Sequence, residues 1–117
     1  MTHSFGRNLC DFNDDEVLTR GMLFRFPARQ PYESYVDFML YQPIEADVSM
    51  GLVVSSGIKA GLIAVHLPSE AKVLGRGDCI SAGWLKSNWS TWVYSDCKMT
   101  DVAVLPPRSL TNVGVAG

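Results

Sequence analysis

Hydrophobic and polar positions fall into a regular order after Gly21. Met22, Phe24 and Phe26 alternate with Leu23 and Arg25 until Pro27 removes a backbone donor, which predicts a first strand. The segment PARQPYES carries two prolines and no period, so it reads as a stiff loop. In YVDFMLY, Val36, Phe38 and Leu40 fall on one face, the core face, and Tyr35, Asp37, Met39 and Tyr41 on the other. Pro43 and the acidic stretch Glu45 to Asp47 break the pattern. A third strand is predicted from Met50 to Ser55, where Val53 and Val54 are β-branched. The turn SSGIKA supplies Gly57 and leads into Gly61 to Leu67, apolar on both faces, which predicts a hairpin whose second strand is central.

Pro68 ends that run, and Ser69 to Cys79, with Gly75 and Gly77, reads as a surface loop. The period then lengthens. Ser81 is placed to cap a helix over about 82–93, in which Leu85, Trp89 and Trp92 recur at i, i+4 and i+7 and face the core; Trp84 stands just off that stripe, partly exposed. Asp101 to Leu105 is a last short strand, stopped by Pro106 and Pro107. Residues 1–20 show no sustained period and predict an irregular arm or one short helix, and 108–117 a loose tail. About five strands and one helix without βαβ alternation predict an α+β domain, mostly β, spanning 1–117. Its expected form is a curled antiparallel sheet or small half-barrel with the helix packed on it.

Composition narrows the function. At 117 residues and 47% hydrophobic content the chain can bury a core without metal or disulfide. Ten Lys and Arg against twelve Asp and Glu leave a net charge of −2, too near neutrality for broad neutralisation of phosphates, so no nucleic-acid partner is expected. The first residues lack the basic start and apolar stretch of a secretory signal, and no apolar run approaches a membrane span. The expectation is a soluble, cytoplasmic protein with no membrane partner. Cys10, Cys79 and Cys97 are odd in number and show no C-x-x-C spacing, so neither a disulfide framework, a metal site nor a cofactor is expected.

Reactive chemistry finds little support. His66 lies within the apolar run LIAVHLP and reads as structural; an enzyme would need a cleft bringing it to Cys79, Cys97 or a carboxylate. Gly57, Lys59 and Gly61 lack the spacing of a phosphate loop and read as a hairpin turn. Arg76-Gly77-Asp78 and Asn88-Trp89-Ser90, motifs of exported proteins, read as chance matches. Asp11, Asp14, Asp15 and Glu16 form an acidic cluster that reads as a solvated loop. Arg25 and Asp37 are predicted to face each other as a cross-strand ion pair.

The runs RGMLFRFPARQPYESYVDFMLY, SGIKAGLIAVHLP and ISAGWLKSNWSTWVYSDC resemble the immunity protein 45 family of bacterial polymorphic toxin systems. The resemblance spans about Arg20 to Asp101. Its specific elements are Arg25-Phe26-Pro27, Tyr35-Val36-Asp37-Phe38, Gly57 with Lys59 to Leu62, and Trp84-Leu85 with Asn88-Trp89 and Trp92. It implies a mostly β cytoplasmic protein, encoded beside a toxin, that binds this cognate toxin domain and carries no catalytic residues. Occlusion of a toxin calls for aromatic anchors ringed by polar contacts. Tyr32, Tyr35, Tyr41 and Trp84 are the outward candidates, with Arg29, Glu33, Asp37 and Lys59 as the charges that would set specificity and encounter rate. An alternative is a small β-barrel that binds single-stranded nucleic acid or a peptide through exposed aromatics, although clustered Lys and Arg are missing around them.

Overall fold

The computed structural model describes residues 6–44 and 49–107. His3, the acidic stretch Glu45 to Asp47 and the tail 108–117 lie outside the described residues. The strands in chain order are β1 (Arg7–Asn8), β2 (Val17–Thr19), β3 (Leu23–Pro27), β4 (Tyr35–Tyr41), β5 (Gly51–Val54), β6 (Ile63–His66), β7 (Lys72–Val73), β8 (Arg76–Ser81) and β9 (Ala103–Leu105). Among the described residues one α-helix, α1, spans Ala82–Asn88. The class is α+β, mostly β: a six-stranded sheet in the order β1-β9-β3-β4-β5-β6 and a three-stranded sheet β2-β8-β7, both antiparallel and not closed into a barrel.

The alternation that predicted the strands also builds the core. Phe24, Phe26, Val36, Phe38, Leu40, Leu52 and Val54 project from one face of the large sheet and are buried. Leu18 and Ile80 of the small sheet, Leu85 of α1 and Trp89 complete that core. Trp89 meets Phe26 edge-on at 5.1 Å between ring centroids, and Phe26 meets Phe38 edge-on at 5.0 Å. Such pairs each add about 0.5–1.5 kcal/mol beyond the area they bury.

Four expectations are corrected. The stretch before Gly21 is not an irregular arm throughout: β1 pairs with β9, β2 pairs with β8, and Leu9 N–H donates to Val102 C=O at 2.8 Å. Its acidic cluster is partly consumed in this docking. Glu16 accepts both terminal nitrogens of Arg7 at 3.0 Å, and Asp14 lies 2.9 Å from Lys86 Nζ. The Arg7 hydrogen bonds, helped by the Asn13 N–H, pull the Glu16 carboxyl down to about 2. Ser69 to Cys79 is not a loop but a short 3₁₀ turn followed by the β7–β8 hairpin, which Gly75 turns at φ +81°. Two glycines near a tight turn disguised the strand beyond them.

Gly61 to Leu67 forms a strand at the end of the sheet, not at its centre. Apolarity on both faces suggested burial, yet Ile63 is 56% exposed, since among the described residues no strand lies outside β6. The helix also differs in its second half. Ser81 Oγ accepts the Trp84 N–H at 3.1 Å, as its capping role requires, but Trp89–Val93 widens into a π-turn closed by Tyr94 N–H on Trp89 C=O at 3.1 Å. The wider turn rotates Trp92 off the stripe. It is 41% exposed and lies 5.9 Å from the Trp84 ring rather than in the core.

Candidate interaction surface

The residues on the other face of the large sheet come into line through strand register. Leu105 lies opposite Leu23, Leu23 opposite Met39, Met39 opposite Val53, and Val53 opposite Ile63. The first four each sit one position away from a core residue and Ile63 pairs with Val53, so all five project away from the core. With strands about 4.8 Å apart, the row runs roughly 20 Å across the sheet. The first four are half-buried and Ile63 is exposed; none belongs to the buried core.

Polar groups border this row on both sides. On one side Arg25 Nε and Nη2 donate to the Asp37 carboxylate at 2.8 and 2.9 Å, the predicted ion pair. Asp37 is further held by its backbone: its N–H donates to Ser56 Oγ at 2.9 Å and its C=O accepts the Ser55 N–H at 2.8 Å. On the other side Tyr41 and His66 share a hydrogen bond of 3.2 Å between the phenol oxygen and Nδ1, across Gly51. A Cβ at Gly51 would stand 2.7 Å from the Tyr41 ring and 2.6 Å from the Val65 carbonyl oxygen, so only glycine permits this approach. Partial burial pushes the Tyr41 phenol up from its ordinary value. A hollow of 380 Å³ lies on this face among Gly21, Leu23, Asp37, Met39, Ser55 and Pro107.

The contact candidates separate into three groups. Tyr35, Asp37 and Tyr41 share the face of the aliphatic row. Tyr32, Glu33 and Lys59 gather at the β5–β6 turn. There the Glu33 carboxylate accepts the Ile58 N–H at 3.0 Å, which holds its carboxyl below the usual carboxylate range, and Lys59 lines a hollow with Tyr32. Tyr32 is not an outward anchor: its ring packs 5.7 Å from Phe38 and 6.2 Å from Tyr94. Trp84 stands apart on α1, half-buried against the core. The residues that sequence reasoning missed are the aliphatic ones, Leu23, Met39, Val53, Leu105 and Ile63. Their signal was an apolar residue on the non-core face of successive strands.

Groups with chemical potential are dispersed. Buried Cys97 Sγ accepts the Trp89 Nε1–H at 3.4 Å, and burial pushes the Cys97 and Cys79 thiols up, away from thiolate. Cys79 lines a hollow of 420 Å³ with Lys72, Arg76, Gln42 and Met50, while His66 stands against Tyr41. Among the described residues no three His, Cys, Asp or Glu side chains are grouped to hold a metal ion, and no helix is long and apolar enough to cross a membrane.

Fold and surface together define a small, mostly β protein with an apolar row on the non-core face of its large sheet and paired charges at its border. The chain belongs to the immunity protein 45 family, whose model matches residues 9–104. Membership gives it an immunity role in general and a protein partner of the toxin kind. No curated protein and no solved structure matches the chain.

Proposed function

We propose that this protein binds the toxin domain encoded by its adjacent reading frame and neutralises it in the cytoplasm by occlusion, without turnover of its own. The observation that carries this reading is the aliphatic row from Leu105 to Ile63, bordered by the Arg25–Asp37 and Tyr41–His66 pairs. A dry centre ringed by polar groups is the arrangement that concentrates binding energy in protein interfaces. An interface of roughly 1,600 Å² is the appropriate scale, and slow dissociation keeps free toxin low. The bordering charges are already paired, so their part is register and specificity rather than attraction. Of the acidic cluster, Asp14 and Glu16 are held in ion pairs with Lys86 and Arg7, which reduces the negative potential they offer a basic cleft.

Co-expression with the neighbouring toxin domain tests the reading. The wild-type chain should co-purify with it and restore growth. Met39→Glu, which sets a charge in the middle of the row, should abolish protection while the unfolding midpoint stays within a few degrees. A soluble wild-type chain that neither binds nor rescues removes the proposal.

A further inference from the structure

Among the described residues the large sheet ends at β6, with no strand paired to its outer side. Leu62 C=O accepts the Val54 N–H at 2.8 Å, and Leu67 N–H donates to Met50 C=O at 2.9 Å, so the Leu62 carbonyl and the Leu67 amide point toward β5, while the Leu62 N–H is spent on Lys59 C=O at 3.1 Å. Successive residues of a strand direct these groups to opposite sides. Ile63 and His66, each one position inward, therefore direct N–H and C=O away from β5, beyond the last strand of the sheet. The π-turn Trp89–Val93 approaches β6, yet Ile63, Ala64 and His66 remain exposed.

A hollow of 220 Å³ adjoins this edge, lined by Pro31, Tyr32, Val54, Lys59 and Leu62. Ile58 and Leu62 beside it are 86% and 56% exposed. The Glu33 hydrogen bond to Ile58 N–H fixes the turn that presents them. Among the described residues Lys59 takes part in none of the ion pairs. Free strand hydrogen-bonding groups, an apolar hollow at side-chain distance and an uncompensated ammonium group specify one kind of ligand.

We propose that β6 receives an extended segment of the toxin as an added strand, with an apolar side chain in the hollow and a carboxylate against Lys59. This rests on the toxin-binding reading and extends its contact face past Ile63. Backbone pairing to Ile63 and His66 supplies affinity, and the hollow and Lys59 supply selectivity. A second copy of the chain fits less well, because residues 58–67 contain Lys59 and His66 and no acid to oppose them.

Residue-resolved amide hydrogen exchange, on the free chain and on its complex with the adjacent toxin domain, tests this. The Ile63 and His66 amides should exchange rapidly when free and slow by about 100-fold in the complex. Lys59→Glu should weaken the complex about tenfold, with the unfolding midpoint unchanged. A complex that forms and rescues growth while both amides exchange as before overturns the edge-strand proposal and leaves toxin binding standing. Absence of any complex overturns both. Slowing that appears in the free chain as its concentration rises assigns the edge to a second copy and also overturns the proposal.

Discussion

The two ends of the six-stranded sheet are finished in opposite ways. At β1 the strand is two residues long and its polar groups are used up locally. The Arg7 guanidinium lies 3.9 Å above the Phe12 ring and grips Glu16, while Asn8 Nδ2 donates to Thr100 C=O at 2.6 Å. At β6 the strand is four residues long, carries no formal charge from Ile63 to Val65 and leaves Ile58, Leu62 and Ile63 exposed. Proteins ordinarily blunt a sheet edge with short strands, charge or cover. One end here follows that practice and the other departs from it, and the aliphatic row leads to the end that departs. The difference separates a margin whose side chains are tied down from one left open, the margin on which the proposed toxin contact rests.

Removing what both ends share should have the largest effect. Trp89→Ala, which empties the space against Phe24 and Phe26, should cost about 3–5 kcal/mol in urea unfolding and disable both margins together. Ile63→Lys comes next. A charge at the open end should reduce toxin binding by about 100-fold by titration calorimetry, with unfolding stability changed by less than about 0.5 kcal/mol. Arg7→Ala should do the reverse: toxin affinity unchanged, and a thermal midpoint lowered by about a degree or two, because the pair with Glu16 is exposed. The smallest effect is one of pH. Glu16 has its carboxyl lowered from 4.5 to about 2, so it contributes stability that is complete above about pH 4.5 and is lost as pH falls toward 2. The difference in thermal midpoint between wild type and Glu16→Gln should shrink over that interval. A constant difference would show that Glu16 acts through something other than its charge.

Much of the large sheet was legible because alternation is a local signal. Residues 35–41 form β4 as expected, Phe24 and Phe38 are core, and Arg25 meets Asp37. Ser81 was legible as a cap for the same reason. Strands of two or three residues, such as β1, β2 and β7, are too short to carry a period and are held by partners distant in sequence. The candidate surface was half legible. The outward set Tyr35, Asp37, Met39 and Tyr41 follows from β4 alone, but Met39 becomes part of a row only when the offsets of β3, β5, β6 and β9 are known. Tyr32 was misjudged because a loop residue has no face until the loop folds, and this one folds inward onto Phe38. Trp92 was misjudged because a π-turn leaves no trace in a 3.6-residue pattern.

The register between β5 and β6 slips between Leu52 and Val53, so that Ala64 is an extra residue in the last strand. Ile63 and His66 therefore present their free hydrogen-bonding groups three residues apart, where an unbroken strand repeats every two. The end of the sheet is thus a ruler with one graduation displaced. A generic strand laid along it matches at one mark and falls out of step at the next, whereas a segment with its own compensating kink matches at both. Such an offset would let the chain keep an open margin without recruiting every extended peptide it encounters.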